Sequence, residues 1–175
     1  RSWSAARRRR TARWAGRRSV SSCPLLKIIV PDIVDYHLPE AGGFHNCAIV
    51  SIDKKYPKHA QKVMHAIWGG AHMMSLTKLI VVVDADCDVH DLHEVAWRAL
   101  GNTDYARDLT VVEGPPSTTS TTPPTSSSGG GKAGIDATRK LPEEGYTRDG
   151  GWPEMVVSDP ETAARVDRRW KEYGL

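Results

Sequence analysis

A three-layer α/β domain is the fold class this sequence predicts, and three observations lead to it. Short apolar runs of strand length recur at 47–52, 78–86 and 108–114. Between them lie segments with apolar residues every three or four positions, the spacing of an amphipathic helix. The run at 78–86, "KLIVVVDAD", is apolar on both faces, which places it centrally in a sheet covered on both sides. Strands alternating with helices in this way build a sheet between helical layers.

Taken in order, "LLKIIVPDIVDY" from Leu25 is apolar, with Pro31 interrupting it, and "CAIVSI" (47–52) reads as a buried strand. "PKHAQKVMHAIW" (57–68) reads as a helix, with Pro57 in its first turn and Ala60, Val63, Met64 and Ile67 on one apolar face. "VHDLHEVAWRALG" (89–101) is a second helix, with Leu92, Val95, Ala96, Ala99 and Leu100 turned inward and Gly101 as its stop. "DLTVVEG" (108–114) is a further strand, and the text after residue 131 reads as a loop. "DPETAARVDRRWKEYG" (159–174) closes the chain as a helix: Asp159 is its N-cap, Pro160 its first residue, and Val166, Trp170 and Tyr173 share a side.

Two segments break this pattern. Residues 1–22 are Arg-rich, have no helical or strand period and hold almost no aliphatic side chains, so they cannot bury enough surface to offset ordering and read as disordered. Their functional reading is a nucleic-acid arm, with Arg on phosphates and Trp3 or Trp14 on bases. The plainer readings are a solvated tail or text foreign to the native protein. The second segment, 116–131, is a Ser/Thr/Pro/Gly tract that interrupts the domain assigned to 23–175.

Charge and cysteines narrow the function. Residues 1–31 hold nine basic and no acidic residues; the other 144 hold 15 basic and 21 acidic, a formal −6. The body is therefore mildly acidic, and nucleic acid is not the expected partner. Three cysteines without CxxC spacing argue against a disulfide framework or a Cys-rich zinc site and suit a reducing cytoplasm. No apolar run reaches the roughly 18 residues of a membrane span, and the N-terminus lacks a secretory apolar core, so the expected location is cytoplasmic.

Candidate chemistry is sparse. Asp84, Asp86 and Asp88 imitate the first ligands of a calcium loop, but Val89 and Val95 stand where Gly and Glu are required, so capping of the following helix by Asp88 or Asp91 is the better reading. His90 and His93, three apart, lack a third metal ligand. His37 and His45 flank "LPEAGGF", a loop of the kind that lines ligand pockets in α/β domains. No P-loop, GxSxG or HExxH occurs.

Longer motifs say more. "LLKIIVPDIVDYHLPEAGGFHNCAIVSIDKKYPKHAQKVMHAIW", "MMSLTKLIVVVDADCDVHDLHEVAWRALGNTDYARDLTVVEGP" and "GGKAGIDATRKLPEEGYTRD", with "WPE" and a last helix bearing Trp170, resemble the C-terminal domain of the UbiD family of decarboxylases. The resemblance covers about 24–115 and 130–175, and "DYHLP", "TKLIVVVD" and "GIDATRK" are its most specific parts. It implies non-oxidative decarboxylation of an aromatic or α,β-unsaturated acid such as a 4-hydroxybenzoate, in quinone synthesis or aromatic catabolism. The implied cofactor is prenylated FMN, an electron sink during loss of carbon dioxide, held with a divalent metal (Mn or Mg) and, in some members, potassium. It further implies a homo-oligomer with the last helix contributing to assembly. The family's catalytic Arg, Glu pair and metal ligands belong to upstream domains that nothing here matches, so the chain alone is expected to be inactive, or to be a non-catalytic interaction module. What the resemblance leaves to this chain are substrate-pocket walls: Leu38 and Pro39 of "DYHLP", and Met74 and Thr77 ahead of the strand.

It also addresses the tract. Relatives carry an Asp-His-Leu-Asp-His-like loop there, and GC-rich codons for that loop, read one base later, give the Thr-Thr-Ser-Thr-Thr of 118–122. A shifted frame over 116 to about 128 is the expectation, against the alternative of a genuine flexible linker.

Overall fold

The computed structural model describes residues 24–43, 46–70, 72–114, 129–146, 149, 151–153, 156 and 158–173. The Arg-rich arm, His45 and residues 115–128 of the tract lie outside the described residues. Residues 21–152 form one compact unit, and the segment from Pro153 to Leu175 belongs to another.

In the first unit the elements run α1 (Pro24–Ile29), β1 (Ile33–His37), β2 (Cys47–Ile52), α2 (His59–Gly70), β3 (Leu79–Asp84), α3 (Leu92–Asn102), a single turn α4 (Tyr105–Asp108), β4 (Leu109–Gly114) and β5 (Gly129–Asp136). Short 3-10 turns occupy Glu40–Gly42, His72–Leu76 and Pro142–Glu144. The five strands form one sheet in the order β1-β2-β3-β5-β4. β2, β3 and β5 run parallel, and the edge strands β1 and β4 run antiparallel to their neighbours.

Side-chain alternation divides the core into two layers. Ala48, Val50, Ile52, Ile80 and Val82 face α1 and α2, whereas Ile49, Val81, Val83, Cys87, Val89 and Ala137 gather with Val95 of α3. β3 therefore buries both of its faces, as its unbroken apolar run requires. Each fully buried Ile or Val stabilises the fold by about 1.5–3 kcal/mol relative to exposure. The apolar face expected on α2 is the one observed, with Ala60, Val63, Met64 and Ile67 all fully buried.

Three expectations need correction. The text after residue 131 is no loop: residues 129–136 form β5, in the sheet interior, and the last three glycines of the tract belong to that strand. α2 begins at His59, so Pro57 precedes its first turn. In α3 the buried residues are Val95 and Arg98, while Leu92 is 46% and Leu100 73% exposed. Arg98 occupies the inward side instead, its guanidinium donating to Asp86 at 2.8 Å.

In the second unit Asp159 caps α5 (Pro160–Arg168) by accepting from the Thr162 amide at 2.8 Å, and Pro160 is the first helical residue. The helix gives way to a 3-10 turn over Trp170–Tyr173 instead of continuing to 174. Among the described residues no helix is long and apolar enough to cross a membrane.

Candidate functional site

The two edges of the sheet differ in chemistry. At the amino ends of the parallel strands, β1 delivers Leu38 and Pro39 as it leaves the sheet, because His37 stands opposite Ile49 near the start of β2. Cys47 at that start lies opposite Leu79, the first residue of β3, which directly follows the 3-10 turn carrying Met74. All four pocket candidates thus sit along one edge, with only β2 between them. Leu38 and Met74 pack against the same apolar layer, Pro39 is buried, and Thr77 is fully buried.

Local features fix this edge. A Cβ on Gly42 would stand 2.8 Å from the Cys47 Cβ, and Gly43 adopts a left-handed φ of 55°, so "AGG" is what lets the 38–43 segment fold against β2. Thr77 donates its amide to the Met74 carbonyl at 3.1 Å. Its own carbonyl accepts from the buried Trp68 indole of α2, also at 3.1 Å, while its hydroxyl has no hydrogen-bond partner. Lys132 of β5, only 3% exposed, extends its ammonium to the Ser75 carbonyl within the same turn.

The carboxyl ends of the same strands, where open α/β sheets ordinarily bind ligands, are filled by the chain's own ions. Lys54 contacts Glu144 at 2.6 Å and Asp136 at 3.7 Å. Lys140 lies 3.2 Å from Asp136 and 3.4 Å from Asp108, and Arg107 grips Asp108 through two nitrogens at 2.8 Å. Asp136 also takes the Thr138 amide at 3.0 Å and the Thr138 hydroxyl. Burial alone would raise Asp108, but the Arg107 guanidinium, the Asp104 amide and Lys140 outweigh it and hold the carboxyl below its ordinary range. For Glu144 burial is likewise outweighed, by the Leu141 amide, Lys54 and the Lys58 amide.

Other candidates disperse. Asp84 accepts from the Arg139 amide at 2.7 Å, Asp86 from Arg98, and Asp88 from the His90 amide at 3.0 Å, so the three carboxylates serve separate local bonds. His90 turns to Asp35, at 3.3 Å, and to the His37 ring, 4.8 Å between centroids, rather than to His93. Burial, then the neighbouring His90, lowers the His37 pKa. Asp91 caps α3 by accepting from the His93 amide at 3.2 Å. Cys47 and Cys87 are free thiols, and burial pushes Cys87 up to about 12, which makes it a poor nucleophile near neutrality. Among the described residues no group of three or more His, Cys, Asp or Glu side chains could hold a metal ion. Their donor set therefore does not fit the metal that the resemblance attaches to prenylated FMN.

Sequence reading named no role for Lys132, Asp136, Thr138 and Lys140, although a signal existed. With Gly134 they recur at every second position, the period of one strand face, and all five are buried.

Comparison with known proteins agrees with this architecture. The family described as the 3-octaprenyl-4-hydroxybenzoate carboxy-lyase C-terminal domain matches residues 14–137. An uncharacterized protein of Archaeoglobus fulgidus is 49% identical over 149 residues, covering 85% of this chain and 30% of the relative. An uncharacterized protein of Aquifex aeolicus is 45% identical over 152 residues, covering 87% of this chain and 30% of the relative. The chain thus spans about a third of the length of the curated relatives it matches. Among solved structures, the UbiD-class enzyme HmfF of Pelotomaculum thermopropionicum in complex with FMN is similar over 79% of this chain and 29% of that one, at 27% identity and a TM-score of 0.59. The closed form of the vanillic acid decarboxylase of Sedimentibacter hydroxybenzoicus is similar over 86% and 30%, at 25% identity and a TM-score of 0.65.

Proposed function

Because the chain belongs to the UbiD carboxy-lyase family, as its C-terminal domain, we propose that it forms one wall of the substrate pocket of a prenylated-FMN-dependent decarboxylase of aromatic or α,β-unsaturated acids. The observation that supports this best is the convergence of Leu38, Pro39, Met74 and Thr77 along one sheet edge. Three of these side chains are apolar and the fourth offers a single hydroxyl without a partner. Such a surface suits the ring of an aromatic acid and excludes water from it. The reacting groups and the ligands of the cofactor and its metal belong in this reading to the remainder of the family's polypeptide. The substrate class is supported by the relatives, one of which is a vanillic acid decarboxylase by name. Cytoplasmic location and self-association through α5 and the Trp170–Tyr173 turn are parts of the same proposal.

The purified chain, given prenylated FMN, Mn and K ions and either 4-hydroxybenzoate or vanillate, is expected to release no carbon dioxide. Sustained release would place the reacting groups inside residues 1–175 and overturn this division of labour.

A further inference from the structure

Resting on that reading of the 74–77 segment as a pocket wall, we propose that Lys132 is its positioning residue: a buried ammonium on β5 that carries the wall through the Ser75 carbonyl and releases it on deprotonation. Three observations converge. The side chain shares the alternating buried face of Lys132, Gly134 and Asp136 on β5, and Gly134 of that face lies against Met64 of α2, so the strand directs Lys132 toward the α2 layer. Lys54 and Lys140 at the far edge each engage two carboxylates; no ion pair holds Lys132 among the described residues, and its acceptor is the backbone of the 3-10 turn. Just after that turn the Trp68 indole holds the Thr77 carbonyl, two residues beyond Ser75.

Among the described residues, the groups around Lys132 bring no carboxylate to its ammonium. β4 places Val112 opposite it, and the adjacent Glu113 is exposed. α2 presents Met64 to β5, while its Lys62 and His65 point to solvent and its buried His59 lies 3.5 Å from Asp32. Lys78, just ahead of β3, contributes its carbonyl, bound by the Ala133 amide. On β5 itself Asp136 is shared by Lys54 and Lys140. Burial accordingly pushes the Lys132 ammonium below the usual lysine range. A charge-assisted bond to a carbonyl weakens once the donor becomes a neutral amine, so the wall loosens at a pH where exposed lysines remain charged.

The test is a pH titration of the whole chain, following the methyl signals of Met74 and Thr77 by NMR, with the exposed lysines as internal reference. In the wild type both methyls are expected to shift with a midpoint below that of the reference lysines. Lys132→Met removes that transition and shows the high-pH positions from the outset. Lys132→Arg keeps a fixed charge, retains the neutral-pH positions and likewise loses the transition. Methyls that stay flat in the wild type, or a transition that survives in Lys132→Met, would overturn the proposal. The wild-type curve and the Arg variant decide the matter if the Met variant fails to fold. No substrate enters the experiment, so its outcome is independent of whether the wall lines an acid-binding pocket.

Discussion

Asp136 shows how a residue read only as part of a motif becomes a determinant of the fold. It lies at the carboxyl end of β5, 4% exposed, between Lys54 and Lys140, with Thr138 satisfying one of its oxygens. Removing one member of a buried ion cluster leaves charge without compensation, which costs about 3–5 kcal/mol. Each lysine retains a second carboxylate here, so Asp136→Asn is expected at the lower end, about 3 kcal/mol by urea unfolding; an unchanged midpoint would show that Glu144 and Asp108 suffice. The depressed carboxyls of Asp108 and Glu144 give the cluster a defined acid dependence. Their contribution is in place above the unfolded carboxylate pKa, about 4, and is lost as pH falls through the lower native values. Melting temperature should therefore decline steeply below about pH 4. Lysine and aspartate usually mark solvent, which is why "GIDATRK" conveyed a family likeness but no burial; the every-second-residue spacing was the only local sign that these groups share an inward face.

At the scale of elements, the strands with purely apolar faces were readable and β5 was not. β2 and β3 announce themselves by runs rich in Ile and Val. β5 is written in Gly, Lys and Asp, residues depleted from strands, and its place between β3 and β4 comes from tertiary pairing. One glycine there has a definite packing cause: a Cβ at Gly134 would run into the Met64 sulfur of α2. Gly134→Ala should thus destabilise by about 1–3 kcal/mol, eased by the flexibility of methionine. Combining it with Met64→Ala should cost less than the sum of the single changes, whereas strict additivity would show that α2 does not rest on that position. α3 was misread for the converse reason. Its Val95 is buried and its Ala99 packs against the sheet as the helical period suggested, but Leu92, Ala96 and Leu100 of the same set are exposed, and the polar Arg98 is buried beside Asp86.

For the whole molecule, the proposed function rests on the placement of ions at one edge of the sheet and apolar groups at the other. The carboxyl ends of β2, β3 and β5 are closed by the Lys54–Asp136–Lys140 cluster. The amino ends gather Leu38, Pro39, Met74 and Thr77, opposite to where the usual rule for open α/β sheets looks for a ligand. Motif resemblance is what proposes these four residues as a pocket wall; periodicity and composition could not, because a pocket wall and a core residue are both buried and apolar. In the proposed reading, a chain that spans about a third of its relatives' length needs the remaining polypeptide to complete the pocket. The most direct measurement is therefore reconstitution. The Aquifex aeolicus relative, deleted of the segment that this chain matches and loaded with prenylated FMN, is assayed for carbon dioxide release from a panel of aromatic acids before and after addition of this chain. The account predicts no release from either piece alone and release from the mixture, reduced when Thr77 is changed to Val or Met74 to Ala. A mixture that associates into a folded complex yet stays silent on every acid that the intact relative decarboxylates would contradict it.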